Sequence, residues 1–282
     1  MTHRVAALQM VSGGDIHENL ASAARLIESA VSQGASLVSL PENFAVLDGG
    51  PLRQFAEIQG AENSPLQSFL AEQAGSHGVT IVGGTIPMLS RPTGNDYSQP
   101  SLLDDGRVRP ACLVYGASGE LLARYDKIHL FDVKVQDRQA EYSESKSFEP
   151  GDEVVTVATT AGQLGLSICY DLRFPELYRK LSEAGAAIIT VPSAFTRTTG
   201  AAHWEVLLRA RAIENQCFII AANQGGVHNE TRETFGHSMI ISPWGEILDC
   251  LAEGEGMAIA DMDLEHLAKI RCDMPISTHR RL

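Results

Sequence analysis

Apolar positions in this chain fall into two alternating patterns. Runs such as 5–9 and 37–40 are short and nearly continuously apolar, as a buried strand is. Between them, 18–32 places apolar residues at 20, 23, 24, 27, 30 and 31, the spacing of one buried helix face. The alternation continues with a predicted helix over 65–76 and a strand over 79–86. Strands 111–115 and 121–125 flank Gly116-Ala117-Ser118-Gly119-Glu120, whose turn chemistry predicts a hairpin. Further strands are expected at 154–157, 164–168, 186–191 and 217–222, with helices at 176–184 and 202–215. A second hairpin joins 238–241 to 246–251 through Pro243-Trp244-Gly245. Such alternation predicts an α/β protein, and periodicity alone fits a doubly wound sheet as well as any other α/β arrangement. The stretch 89–108, rich in Pro, Gly, Ser and Asp, predicts an exposed loop. No linker divides the sequence, so a single domain over 1–282 is expected.

Composition narrows the partners. The net charge of −13 argues against nucleic acid or an acidic membrane surface. No apolar stretch approaches a membrane span, and the first residues read as a strand rather than a signal peptide. Cys112, Cys169, Cys217, Cys250 and Cys272 are odd in number and widely spaced, which disfavours a disulfide framework or thiolate zinc site. A soluble, cytoplasmic protein of a reducing compartment is expected. Neither a His-x-x-x-His pair at metal spacing nor a glycine-rich phosphate loop occurs, so no metal and no cofactor are expected.

The chemistry centres on Ile168-Cys169-Tyr170-Asp171-Leu172-Arg173-Phe174-Pro175-Glu176. An apolar run delivers Cys169 to a point where the pattern changes, and Pro175 suits a first helical position. A thiol at a strand-to-helix turn is held out of the sheet, near N–H groups that favour negative charge. Upstream, Glu42 ends Leu40-Pro41-Glu42, Lys127 follows the run 121–123, and Glu144 lies in the polar loop 142–152. Each charge alone equally describes a solvated strand end. Taken in order, Leu-Pro-Glu-Asn-Phe, Tyr-Asp-Lys-Ile-His-Leu-Phe and Ile-Cys-Tyr-Asp-Leu-Arg-Phe-Pro-Glu resemble the nitrilase, or carbon–nitrogen hydrolase, superfamily from Val5 to about Asp263. That resemblance implies a four-layer α-β-β-α sandwich and a thiol-dependent amidase. Cys169 would be the nucleophile and Glu42 the general base. Lys127 and the Tyr170 backbone N–H would stabilise the oxyanion, with Glu144 holding the lysine and the first glutamate. It also implies a small-molecule amide substrate and a homodimer or higher homo-oligomer.

The histidines offer a rival Cys–His mechanism. His129, His203, which is expected to open a helix, and His237 read more readily as structural or substrate contacts. Within the superfamily, 191–217, Gly236-His237-Ser238-Met239 and Thr278-His279-Arg280-Arg281 most resemble deaminated glutathione amidases. The implied bond joins an α-ketoglutarate-derived acyl group to Cys-Gly. Arg173, Phe195, Thr199 and His203 are the candidate substrate contacts, Arg173 because its planar fork suits a carboxylate. An ω-amidase acting on α-ketoglutaramate is the nearest alternative. A thiol redox sensor or binding module on a hydrolase scaffold is the non-enzymatic one. Two departures from the family pattern, Arg107-Val108-Arg109-Pro110-Ala111-Cys112 and a longer 90–101 loop, avoid the catalytic residues and bear on the pocket rim.

Overall fold

Two facing sheets organise the chain, and the computed structural model describes residues 2–47, 52–59, 61, 63–92 and 101–281. In chain order the principal strands are β1 (Thr2–Gln9), β2 (Leu37–Ser39), β3 (Thr80–Val82), β4 (Ile86–Met88), β5 (Arg109–Tyr115) and β6 (Leu121–Asp126). They continue as β7 (Thr156–Thr159), β8 (Gly162–Leu166), β9 (Ile188–Thr190), β10 (Phe218–Ala221), β11 (Ser238–Ile241), β12 (Ile247–Leu251) and β13 (Gly256–Asp263). The main helices are α1 (Ile16–Ser32), α2 (Pro65–His77), α3 (Pro175–Glu183), α4 (Arg197–Asn215) and α5 (Leu264–Asp273). The first sheet runs β13-β1-β2-β3-β5-β4, with β6 on the other edge of β5. The second runs β7-β8-β9-β10-β11-β12. Each has three parallel strands at its heart, β1-β2-β3 and β8-β9-β10.

Side-chain alternation explains the layers. On β1, Val5 and Ala7 enter the core between the sheets, whereas Ala6 and Leu8 pack toward α1 and α2. Ala23, Ile27 and Ala30 of α1 and Leu66, Leu70 and Ala74 of α2 complete that outer layer. On β8, Gly165 faces Leu181 of α3, so Leu164 and Leu166 point to the opposite, inter-sheet side. Leu177 and Tyr178 of α3, with Leu208 and Ala212 of α4, cover the second sheet. The result is the four-layer α-β-β-α sandwich, and the doubly wound alternative falls away.

Several boundaries differ from expectation for local reasons. The strand over 79–86 is two strands, β3 and β4, because the chain kinks at Gly83-Gly84, where Gly84 has φ +54°. A Cβ on Gly84 would collide with the Pro41 carbonyl, so this glycine lets the loop bearing Glu42 settle on the sheet. The strand at 154–157 begins only at Thr156. Within 89–108, Ser90, Leu103 and Val108 are buried, and Ser90–Arg91 pairs with Ser101–Leu102. The expected loop is therefore partly interior, while 93–100 lie outside the described residues. Helix α4 starts at Arg197 rather than 202, capped by Thr196, whose hydroxyl accepts the Thr199 N–H at 3.2 Å. His203 thus sits within the helix instead of opening it. β13, unanticipated, pairs antiparallel with the whole of β1.

The departure at 107–112 lies beneath the site rather than on its rim. Arg109 is buried, bonding Glu149 at 2.6 Å and Asp126 at 3.2 Å, and Arg124 holds Asp126 at 2.6 Å. Arg91, against the pull of burial and with help from Arg109, holds the Glu149 carboxyl down to about 2. This cluster, with backbone bonds Val108 N to Ser147 O and Glu149 N to Val108 O, fastens the segment carrying Glu144 to β5. Pro110 O also accepts the Lys127 N–H at 3.0 Å, so the segment does reach a catalytic candidate.

Burial pushes the Cys112 and Cys217 thiols up to about 12. A raised value means that the folded state holds these protons more tightly than the unfolded chain, whose thiols titrate near about 8.5. Their stabilisation is complete below the unfolded value and is lost as pH rises through the folded one. Unfolding measured between pH 7 and 10 is expected to lose roughly 2 kcal/mol per thiol. A C112A/C217A variant should give a flatter line, and an unchanged slope would refute the assignment.

Candidate active site

The site forms at the carboxyl ends of strands from both sheets, where an α/β architecture leaves backbone groups free for ligands. Glu42 follows β2, Lys127 follows β6, Cys169 follows β8 and Ala194 follows β9. Gln224, fully buried beyond β10, ties the sheets together: its Nε2 donates to Glu42 O at 3.1 Å and to Ser12 Oγ at 2.8 Å.

Lys127 is the hub. Its side chain is wholly buried, and Nζ donates to Glu42 Oε1 at 2.8 Å and to Glu144 Oε1 and Oε2 at 3.0 and 2.8 Å. Burial alone would lower its pKa, but Glu144 and then Glu42 outweigh that and hold the ammonium well above the usual lysine range. Lys127 is therefore a permanent cation at neutral pH and not a base. The second oxygen of Glu42 accepts the Ala194 N–H at 3.0 Å, and Glu144 Oε2 accepts the Phe131 N–H at 2.8 Å. Both carboxylates are thereby fixed in orientation.

Cys169 opens a 3-10 turn over Cys169–Arg173, ahead of α3. Its φ of +48° is left-handed backbone that a side-chain-bearing residue seldom adopts, and strain of this kind is what lifts a nucleophile out of a sheet. The Cys169 N–H donates to Pro192 O at 2.9 Å, while Asp171, fully buried, accepts the Ile168 N–H at 2.9 Å. Asp171 also accepts Tyr125 Oη at 2.7 Å and the His129 N–H at 3.0 Å, locking the Cys169 turn to the segment that carries Lys127. The Tyr170 N–H lies in the first turn, where helical donors lack intrahelical acceptors. Burial, then the charge of Glu42, push the Cys169 thiol well above its usual range, against Lys127 and the Ala194 N–H. That direction favours the thiol over the thiolate at neutral pH.

Glu42, Glu144, Cys169, Tyr170, Arg173, Phe195 and Thr199 line one cleft with an empty volume of about 340 Å³, and His203 does not. Instead His203 Nδ1 meets Arg173 Nη1 at 3.2 Å on the surface. His129 is committed elsewhere, its Nδ1 2.7 Å from Asp171 and its ring stacked on Phe174 at 3.7 Å. His237 stacks on Phe235. Arg209 and Arg211 both serve the scaffold, donating to the carbonyls of Gly245 and Leu172. Sequence reasoning missed Asp171, Asn43, Ala194 and Arg232. The first two sit inside the quoted motifs, whereas Arg232 enters from a polar loop with no signal of its own. Among the described residues no group of three or more His, Cys, Asp or Glu is placed to hold a metal ion, and no helix is long and apolar enough to cross a membrane.

An elbow-borne cysteine facing a glutamate–lysine–glutamate cluster, on an α-β-β-α sandwich, defines a hydrolase of the nitrilase type. Residues 4–271 match the carbon-nitrogen hydrolase family, and the chain belongs to that family of enzymes. It is 45% identical over 278 residues to a deaminated glutathione amidase of Synechocystis sp., covering 98% of this chain and 97% of that protein. Saccharomyces cerevisiae Nit3, a member of branch 10 of the nitrilase superfamily, superposes with a TM-score of 0.85 at 31% identity, over 100% of this chain and 97% of that one. The Caenorhabditis elegans NitFhit protein gives 0.84 at 34% identity over 99% of this chain, which spans 65% of that longer chain.

Proposed function

We propose that this protein hydrolyses deaminated glutathione to 2-oxoglutarate and cysteinylglycine through a Cys169 thioester. The observation that carries the chemistry is the buried Lys127 ammonium shared by Glu42 and Glu144, two carboxylates that line one cleft with Cys169. Glu42 takes the Cys169 proton as Sγ attacks the amide carbon. The oxyanion that develops is held by Lys127 Nζ and the Tyr170 N–H. When the C–N bond breaks, Glu42 returns the proton to the leaving nitrogen. It next deprotonates the water that cleaves the thioester, and Cys169 leaves as the thiol. Glu144, bonded to Lys127 through both oxygens, keeps the cation in place.

Support for the substrate comes from the cleft and from the similarity to amidases of that name. Arg173 lies against the rings of Tyr170 and Phe195, at 5.7 and 5.4 Å, and among the described residues it is paired with no carboxylate. Phe195 and Thr199 wall the same space, and His203 steadies Arg173 from outside. The reading extends to a single carbon–nitrogen hydrolase domain over 1–282, whose inter-sheet core draws on both halves of the chain, and to a cytoplasmic location. It extends also to a homodimer or higher homo-oligomer through outer helices, for which exposed Val206, Ile213 and Trp244 provide apolar surface. The deciding experiment is product analysis by mass spectrometry with deaminated glutathione and, separately, α-ketoglutaramate. Cysteinylglycine release is expected. Turnover of α-ketoglutaramate with little of the larger substrate would make the protein an ω-amidase instead.

A further inference from the structure

Two guanidiniums line the cleft, and among the described residues neither is paired with a carboxylate. Arg173 has His203 and two aromatic rings as neighbours. Arg232 donates from Nη2 to Ala194 O at 2.9 Å and lies over the Tyr142 ring at 5.0 Å. The loop bearing Arg232 is held firmly. Val227 pairs with Glu233 and Thr196 with Thr234, while His228 bridges Ser12 O and Thr234 Oγ1 at 2.8 and 2.6 Å. The Asn229 side chain also accepts the Arg232 N–H at 2.8 Å. An arginine presented this rigidly into a cleft, with donors unspent on any carboxylate, is suited to an anionic group of the substrate.

The two arginines enter the cleft from different segments. Arg173 is on the turn that carries Cys169, to which the acyl group is bonded after the C–N bond breaks. Arg232 is fastened to the Ala194 carbonyl, and the N–H of Ala194 binds Glu42, the group that protonates the leaving nitrogen. We propose that Arg232 binds the carboxylate of the leaving group, making it the residue that selects a dianionic amide over one releasing ammonia. This assignment rests on the substrate reading above, since deaminated glutathione has a carboxylate on each side of its scissile bond. α-Ketoglutaramate has one only, on the acyl side.

The test compares wild type, R232M and R173M on deaminated glutathione, on its C-terminal amide, and on α-ketoglutaramate. R232M is expected to lower kcat/KM for deaminated glutathione about ten- to hundred-fold, the range for a charge-assisted hydrogen bond. The wild type should lose a similar factor on the C-terminal amide, and R232M should lose little more there, because both changes delete one contact. R173M should impair all substrates. An R232M defect of equal size on the acid and its amide would overturn the assignment, since a merely structural role gives that result. So would an unchanged kcat/KM in R232M while the wild type releases cysteinylglycine. A wild type that releases none would overturn the substrate reading, and this assignment with it.

Discussion

Replacing Cys169 with alanine is expected to lower amide turnover by about four to six orders of magnitude, the scale on which hydrolases lose activity without their nucleophile. Nothing else in the cleft can take its place. The hydroxyls of Thr196 and Thr199 bond each other at 2.9 Å, and the Lys127 ammonium is held in its protonated state. The change removes one sulfur from a site that is already hollow, so the fold should survive. C112A and C217A serve as controls, because those thiols lie in the hydrophobic core and outside the cleft lining. Cysteinylglycine release measured alongside thermal unfolding decides the matter. Residual activity within about a hundred-fold of wild type, from folded C169A, would mean another nucleophile and would also revive the non-enzymatic thiol-sensor alternative.

The second large effect falls on Lys127, and here stability and activity should fail together. Lys127→Met removes the proposed oxyanion donor, worth about 3 kcal/mol of barrier, or two orders of magnitude in rate. It also leaves Glu42 and Glu144 facing each other in a buried site without a cation. Breaking a buried ion pair from one side typically costs about 3–5 kcal/mol, equivalent to a fall in Tm of roughly 6–20 °C for a chain of this size. Adding Glu144→Gln removes one orphaned charge, so K127M/E144Q should regain much of the lost Tm while staying inactive. Recovery of activity in the double variant would contradict the oxyanion role. A Tm for K127M within about 2 °C of wild type would contradict the cluster's place in the fold.

How far the sequence reached can be judged from particular residues. Glu42, Lys127 and Cys169 stand out because each ends an apolar run, and a strand end is where polar groups can leave the sheet. Their meeting is not readable from spacing. It depends on β2, β6 and β8 lying in two sheets that converge only in three dimensions. Glu144 was legible from resemblance alone, since a polar loop has no periodicity. Its place is set by the buried Arg109–Glu149–Asp126 cluster, which joins partners scattered along the chain. Asp171 could be quoted as part of a motif but not understood, because its function is to bind Tyr125 and His129. The direction of the Cys169 shift was not readable from local sequence. Helical N–H groups favour a thiolate, but burial and the charge of Glu42 prevail, and both come from tertiary packing.

By itself the sequence determined the α/β alternation, the amphipathic face of α1 and both hairpins, while the residues able to hydrolyse an amide were legible through the family resemblance. The alternation, the helix face and the hairpins follow from periodicity and local chemistry, which act over a few residues at a time. The tertiary structure decided the pairing of β13 with β1, the kink at Gly84 beneath Glu42, the buried ion clusters, and the entry of Arg232 into the cleft. Each depends on segments far apart in the chain coming together, where burial raises the strength of charge interactions and close packing fixes direction.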